Sequence, residues 1–256
     1  MNDEIRGVNP FRYMLIKWVY GYSVPLDVVR ELSIDTGSRL LHVGPGIGDS
    51  PIMIHKRYNC AVDCIEFDRT LVSMGSRRVN EKGYGESVSY HVYEELTYLK
   101  PRTYDAALFE SSLSVVTNPE LVLSTVAGLL SEGALVGVLE LTWNSYPSDE
   151  KASWLVKALG RDVNLRTRRE WEDVFHSSGH RILKSWSEGI GLLKKFWSDF
   201  KVAPTGTLWG ISKVVYGALS DVKKKDLMFD FLNVLRNYKG DLSVACFVLD
   251  RSDKEL

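Results

Sequence analysis

Apolar and polar positions follow two periods along this chain. From residue 39 onward, short apolar runs alternate with longer stretches at helical spacing. Residues 39–44, centred on Leu40, Leu41 and Val43, read as a buried strand, and a helix follows over about 49–58. Residues 61–66 give a second strand ending in Glu66, with a helix from about 69 to 82 and an exit at Gly83 and Gly85. Residues 87–92 alternate in part and predict a third strand, and 104–109 predict a fourth. A helix is expected over 119–130, a turn at Ser131-Glu132-Gly133, and a fifth, Val- and Leu-rich strand over 134–141. Strand and helix alternating through short links predict a parallel, doubly wound sheet with right-handed crossovers.

The two ends read differently. Residues 9–20 carry Phe11, Met14, Leu15, Trp18 and Val19 at helical spacing behind an Asn9-Pro10 start signal. A second helix is expected after Ser23, to about Leu32. Residues 1–36 are thus expected to form a helical segment or lid, and 37–256 the main domain. In the second half, helices are expected at 147–159 and 168–177, a strand at 181–186, and helical stretches at 190–200, 207–219 and 221–236. A strand at 242–249 ends the pattern. The span 187–239 is a candidate helical cap, made aromatic by Phe196, Trp197, Phe200 and Trp209 with Trp186 beside it. The simpler reading of these rings is the cap's own core.

Candidate chemistry begins where the first strand ends. Gly44, Gly46 and Gly48 stand at every second position before the next helix. Glycine lets a ligand approach the main chain, and the first N–H groups of the helix favour polar or anionic groups. Glu66, at the tip of the second strand, follows Gly48 by 18 residues. An acid there is placed to accept from both hydroxyls of a ribose. The nicotinamide fingerprint G-x-G-x-x-G fails, because its last glycine would be Asp49.

This G-x-G-x-G turn with Glu66 resembles the class I S-adenosylmethionine (SAM)-dependent methyltransferases. Tyr104-Asp105-Ala106-Ala107-Leu108 is similar to that family's entry into its fourth strand. Residues 129–136 are similar to its leucine-turn-glycine-strand segment. Glu94-Glu95-Leu96 falls where the family has an acid beside the adenine. The resemblance covers roughly residues 37–142, and more loosely 168–186. It implies an α/β fold with a mostly parallel seven-stranded sheet, helices on both faces, and a last strand running antiparallel between the fifth and sixth. It implies SAM as cofactor, S-adenosylhomocysteine as product and a small-molecule acceptor. The cofactor-binding candidates are Gly44, Pro45, Gly46, Gly48, Glu66, Phe67, Glu94, Glu95 and Glu110. Glu94 and Glu95 are equally placed to meet the adenine.

Glu110-Ser111-Ser112 follows the fourth strand, where the family keeps the groups nearest the transferred methyl. Glu110 is therefore the candidate general base or substrate-orienting group, the alternative being a carboxylate that only positions SAM. Glu140 and Trp143, at the end of the fifth strand, are expected to face the same cleft, where Trp143 could stabilise a cationic amine. Tyr22 is a second substrate-side candidate. His42 departs from the family, which has Asp or Glu there. It either orders the glycine turn through a hydrogen bond or is a satisfied histidine in a buried strand. No Asp/Asn-Pro-Pro-Tyr/Phe motif follows the fourth strand, no Asp/Asn cluster suits magnesium, and Glu110 and Glu120 are spaced poorly for an arginine methyltransferase. A small-molecule acceptor remains by elimination. Two other readings stay open: transfer of a different group from SAM, as in nicotianamine synthase, which Pro51 faintly resembles, and a non-catalytic SAM-binding partner subunit.

Composition changes little. The formal net charge of −1 over 256 residues draws the chain neither to nucleic acid nor to anionic lipid. The basic runs 166–169 and 223–225 read as solvated helix faces. Cys60, Cys64 and Cys246 match no zinc spacing and suggest reduced, buried thiols in a cytoplasmic protein, with no metal. A polar start without a signal peptide, and no long apolar run, give no expectation of a membrane segment. Monomer and homodimer are equally compatible.

Overall fold

The computed structural model describes residues 21, 23–159, 163–190, 197, 200, 201, 208, 211, 212, 215–217, 219–238 and 240–251. The expected helix at 9–20, Tyr22, Phe196 and Trp209 lie outside them. In chain order the elements are α1 (Ser23–Val29), β1 (Arg39–Val43), α2 (Asp49–Tyr58), β2 (Ala61–Glu66), α3 (Arg69–Glu81), β3 (Val88–Val92) and a short 3-10 helix (Tyr93–Tyr98). Then come β4 (Tyr104–Glu110), a second 3-10 turn (Leu113–Val115), α4 (Pro119–Ala127), β5 (Leu130–Trp143), α5 (Asp149–Leu159), α6 (Arg168–Ser177), β6 (His180–Gly189), α7 (Val222–Asn237) and β7 (Leu242–Arg251). No helix of the described residues is long and apolar enough to cross a membrane.

The seven strands form one sheet in the order β3-β2-β1-β4-β5-β7-β6. The first five are parallel neighbours, and β7 enters antiparallel to both β5 and β6, as expected. The order reverses between β1 and β4. A doubly wound sheet opens a crevice at that point, beyond the carboxyl ends of its strands.

Strand alternation builds a separate core on each face. Leu40, Ala106, Leu108, Leu139 and Cys246 meet Val28 and Leu32 on one side. Leu41, Val43, Ala107, Phe109, Val138 and Phe247 meet Trp171 and Phe175 of α6 and Leu123 of α4 on the other. The helices above begin on side-chain caps. Asp68 accepts from Thr70 and Leu71 N–H at α3, Asn118 accepts from Leu121 N–H at α4, and Thr167 with Glu170 forms a capping box at α6.

Several boundaries differ from expectation, three of them informatively. Helix α4 ends at Ala127, three residues early, and β5 starts at Leu130. The expected turn at 131–133 is an irregularity inside β5: its pairing jumps from Tyr104↔Leu130 to Ala106↔Leu135, with Gly133 at φ +75. Strand β6 continues to Gly189, so 187–189, expected to open the cap, pair with β7. That ladder extends because β7 is long enough to offer it partners. The three cysteines are buried and form no disulfide, and burial raises the Cys60 thiol to about 11.

Helix α1 lies close enough to β5 that only glycine fits at 137. A Cβ there would stand 2.5 Å from Val28 Cγ1 and 3.2 Å from Leu32 Cδ1. Gly137→Ala is expected to destabilise the chain by about 1–3 kcal/mol. Val28→Ala in the same chain should recover part of that loss, measured by urea unfolding. Equal losses with and without Val28 would show that the helix does not press on this strand.

Candidate functional site

The glycine turn leaves β1 with three left-handed residues, Gly44, Gly46 and Gly48, at φ +80, +63 and +99. At Gly44 the absence of a side chain is a packing requirement. A Cβ would lie 2.6 Å from the Glu110 carbonyl oxygen and 2.7 Å from Ser112 Cβ. The turn is thereby pressed against the chain leaving β4. Gly44 N–H also donates to Ile65 O at 2.9 Å, tying the turn to β2.

Gly46 is held at both of its backbone polar groups. Its N–H donates to Glu66 Oε2 at 3.1 Å, and its carbonyl accepts from the Tyr90 hydroxyl at 3.0 Å. The second Glu66 oxygen accepts from Phe67 N–H at 2.9 Å. Burial, and then the neighbouring Cys64, Glu66 and Asp49, push the Tyr90 phenol well above its ordinary range, so it stays a donor. Tyr90 reaches this position because Gly75 of α3 makes room; a Cβ on Gly75 would fall 2.4 Å from Tyr90 Cε1 and Cζ. Asp49, the first residue of α2, is paired with Arg78 of α3. Pro45 is buried within the turn, and Phe67 stacks at a tilt on Tyr93 with centroids 4.8 Å apart.

The other candidates are distributed around this centre. Glu94 is exposed, with Arg69 Nη2 at 3.9 Å. Glu95 points back to His91 Nδ1 at 3.2 Å, and His91 continues through Ser89 to Asp63. Glu110 faces His42: Nε2 and Oε2 are 3.0 Å apart and neither side chain is exposed. His42 is thus a hydrogen-bonded histidine in a buried strand, and it reaches the glycine turn indirectly, through the residue whose carbonyl packs on Gly44. Trp143 is 5% exposed and belongs to the apolar core, its ring 6.1 Å from that of Tyr238. Glu110, expected near the reacting methyl, has its carboxylate turned to the sheet interior.

Glu140 occupies the opposite face from Glu110. It is fully buried on β5 and accepts from Ser112 N–H at 2.8 Å, Leu113 N–H at 2.7 Å and Ser114 Oγ at 2.6 Å. Burial raises its carboxyl to about 7 against these hydrogen bonds. Ser114 O in turn accepts from Asn164 N–H at 2.8 Å. Tyr90 and Gly75 carry no sequence signal for this role, since each is an ordinary residue of its strand or helix. Glu140 had one, as the one charged residue of the expected strand over 134–141.

No family model matches the chain, and no curated protein matches it in sequence. Solved structures do resemble it. Phosphoethanolamine N-methyltransferase 2 of Haemonchus contortus, with phosphomonomethylethanolamine and S-adenosylhomocysteine, superposes with a TM-score of 0.72 at 14% identity over 95% of this chain. This chain spans only 57% of that protein's length. Geranyl diphosphate C-methyltransferase of Streptomyces coelicolor, with magnesium, geranyl diphosphate and S-adenosylhomocysteine, gives 0.64 at 17% identity, covering 90% of this chain and 77% of its own. The (4+2)-cyclase SpnF gives 0.69 at 15% identity, covering 95% and 93%. The fold is therefore that of the Rossmann-like, class I SAM-dependent methyltransferases.

The lodging of Tyr90 against Gly75 is testable without any ligand. Gly75→Ala should cost about 1–3 kcal/mol in the wild-type background. It should cost less than half as much in a Tyr90→Leu background. Urea unfolding of the four chains gives both figures, and equal costs would refute the contact.

Proposed function

We propose that this chain binds SAM in the crevice between β1 and β4 and transfers its methyl group to a small-molecule acceptor, releasing S-adenosylhomocysteine. The observation that carries the reading is Gly46 at the switch point of the sheet, with Glu66 on its N–H and Tyr90 on its carbonyl. This arrangement fixes a side-chain-free backbone beside a carboxylate suited to a ribose diol. The methyl carbon of SAM is already activated by the sulfonium. Methyl transfer is an in-line displacement in which alignment of the acceptor and exclusion of water supply most of the acceleration. A dedicated nucleophile on the protein is not required, which agrees with Glu110 being engaged by His42.

Structural neighbours act on phosphoethanolamine-type and geranyl diphosphate acceptors. They support a small molecule as acceptor here without naming it. A second reading is favoured by one neighbour, the cyclase. Its likeness supports this fold serving a reaction other than methyl transfer. Transfer of an aminocarboxypropyl group belongs to the same alternative.

Calorimetric titration with SAM and S-adenosylhomocysteine tests the binding half. Glu66→Ala is expected to weaken both ligands by about 1.5–3 kcal/mol, roughly ten- to hundredfold in Kd. Glu66→Gln, which keeps an acceptor for Gly46 N–H, should fall between. Absence of binding by folded wild-type chain free of copurified ligand would overturn the reading. With acceptor candidates, a product heavier by one methylene identifies methyl transfer, and a larger gain or an isomerised product identifies the second reading.

A further inference from the structure

Glu140 is a buried acid whose structural surroundings are all hydrogen-bond donors. Its carboxylate takes two backbone N–H groups and one hydroxyl, all from the three consecutive residues 112–114. Those residues link three parts of the site. Ser112 Cβ is packed where a Gly44 side chain would stand, and Ser114 O holds Asn164 N–H beside the start of α6. The chain enters this loop through Ser111 at φ +53, a left-handed conformation that a serine holds only when its neighbours fix it.

We propose that Glu140 is the positioning residue for the reacting side of the site, holding the loop after β4 against the glycine turn in two hydrogen-bonding arrangements that differ by one proton. When it is ionised, Oε1 accepts from Ser112 and Leu113 N–H, and Oε2 accepts the Ser114 hydroxyl proton. When it is protonated, Oε1 keeps both N–H groups and Oε2–H donates to Ser114 Oγ, freeing the serine proton for another acceptor. The loop stays in place in both states, while the charge beneath it changes. The second arrangement is also the one that glutamine would adopt.

Taken with the proposed function, on which this step rests, the charge separates cofactor from product. SAM carries a sulfonium that S-adenosylhomocysteine lacks. A buried anion that holds the loop packed on the Gly44 turn of the proposed crevice favours the cation at low local dielectric. SAM binding therefore favours ionised Glu140, and transfer removes that preference. On the core face that carries Glu140, the charged groups packed on the apolar rings are Arg166 over Trp171 and Arg168 over Phe247, and Glu170 is held in the capping box of α6. Glu110 with His42, and Cys246 of β7, lie on the opposite face of the sheet. Their titration is separated from that of Glu140 by the glutamine variant.

Carbon-13 carboxyl spectroscopy of the free full-length chain tests the two arrangements directly. One glutamate resonance should titrate with a midpoint near pH 7 and be absent from Glu140→Gln. Ser114→Ala, which removes a donor to the ionised form, should move the midpoint upward. No such resonance between pH 6 and 8, or one that survives in Glu140→Gln, overturns the inference whether or not SAM binds. Calorimetry then tests the charge linkage. The ratio of SAM affinity to S-adenosylhomocysteine affinity of the wild type should rise at least threefold from pH 6 to pH 8 and stay flat in Glu140→Gln. A flat wild-type ratio, or the same rise in the variant, overturns that linkage. Failure of both ligands to bind the wild type overturns the cofactor reading, while the carboxyl titration still decides the role of Glu140.

Discussion

Gly46 is held between a carboxylate and a phenol from two neighbouring strands, and the rest of the site depends on that clamp. A run of three left-handed glycines has maximal freedom in the unfolded chain, so its ordering carries an entropic cost that nearby contacts must offset. The Glu66 and Tyr90 hydrogen bonds do so at the backbone itself. They also fix which way the turn faces, because β2 and β3 are rigid members of the same sheet. The close fit of Gly75 around Tyr90 extends the constraint to α3, and the Asp49–Arg78 pair adds a second link between α3 and the start of α2. Two glycines separated by nearly thirty residues are thus parts of one packing arrangement.

The sheet was legible in the sequence because its central strands are short apolar runs between turn signals. Residues 61–66 were read at their observed bounds, and β1 within one residue. The place of Glu66 at the tip of β2 was legible because it follows from chain distance along a repeating βα unit. What could not be read was set by contacts across the sheet. Nothing local distinguishes Tyr90 from the other tyrosines of the chain, and its reach under the glycine turn appears only once β3 is placed beside β2. The β5 irregularity was hidden for the same reason, since Gly133 suggested a turn and only the pairing with β4 shows the strand resuming beyond it. Trp143 was read as a site residue from its place at a strand end. Its side chain follows strand alternation into the core shared with Leu139 and Leu141.

Alternation also explains why the two acids at the ends of β4 and β5 do different work. Glu110 projects to the face carrying Leu108, and Glu140 to the face carrying Val138. On its face Glu110 finds a histidine. On the other, Glu140 finds backbone and hydroxyl donors. A carboxylate satisfied by neutral donors in an apolar core loses less by protonation than one facing a cation, which is why burial can lift Glu140 to about 7.

The loop between these acids must reverse its orientation within one residue. Glu110 ends β4 with its side chain on one face, while the N–H groups of Ser112 and Leu113 point to Glu140 on the other. Ser111 makes the change in the left-handed region, at a cost of order 1–2 kcal/mol for a residue bearing a Cβ. Three hydrogen bonds to a single carboxylate, each worth about 1 kcal/mol or more net, are sufficient to offset it. The strained serine and the buried acid are therefore one device: without Glu140 the loop would relax toward ordinary dihedrals, and Ser112 would withdraw from the Gly44 turn that the crevice is built on.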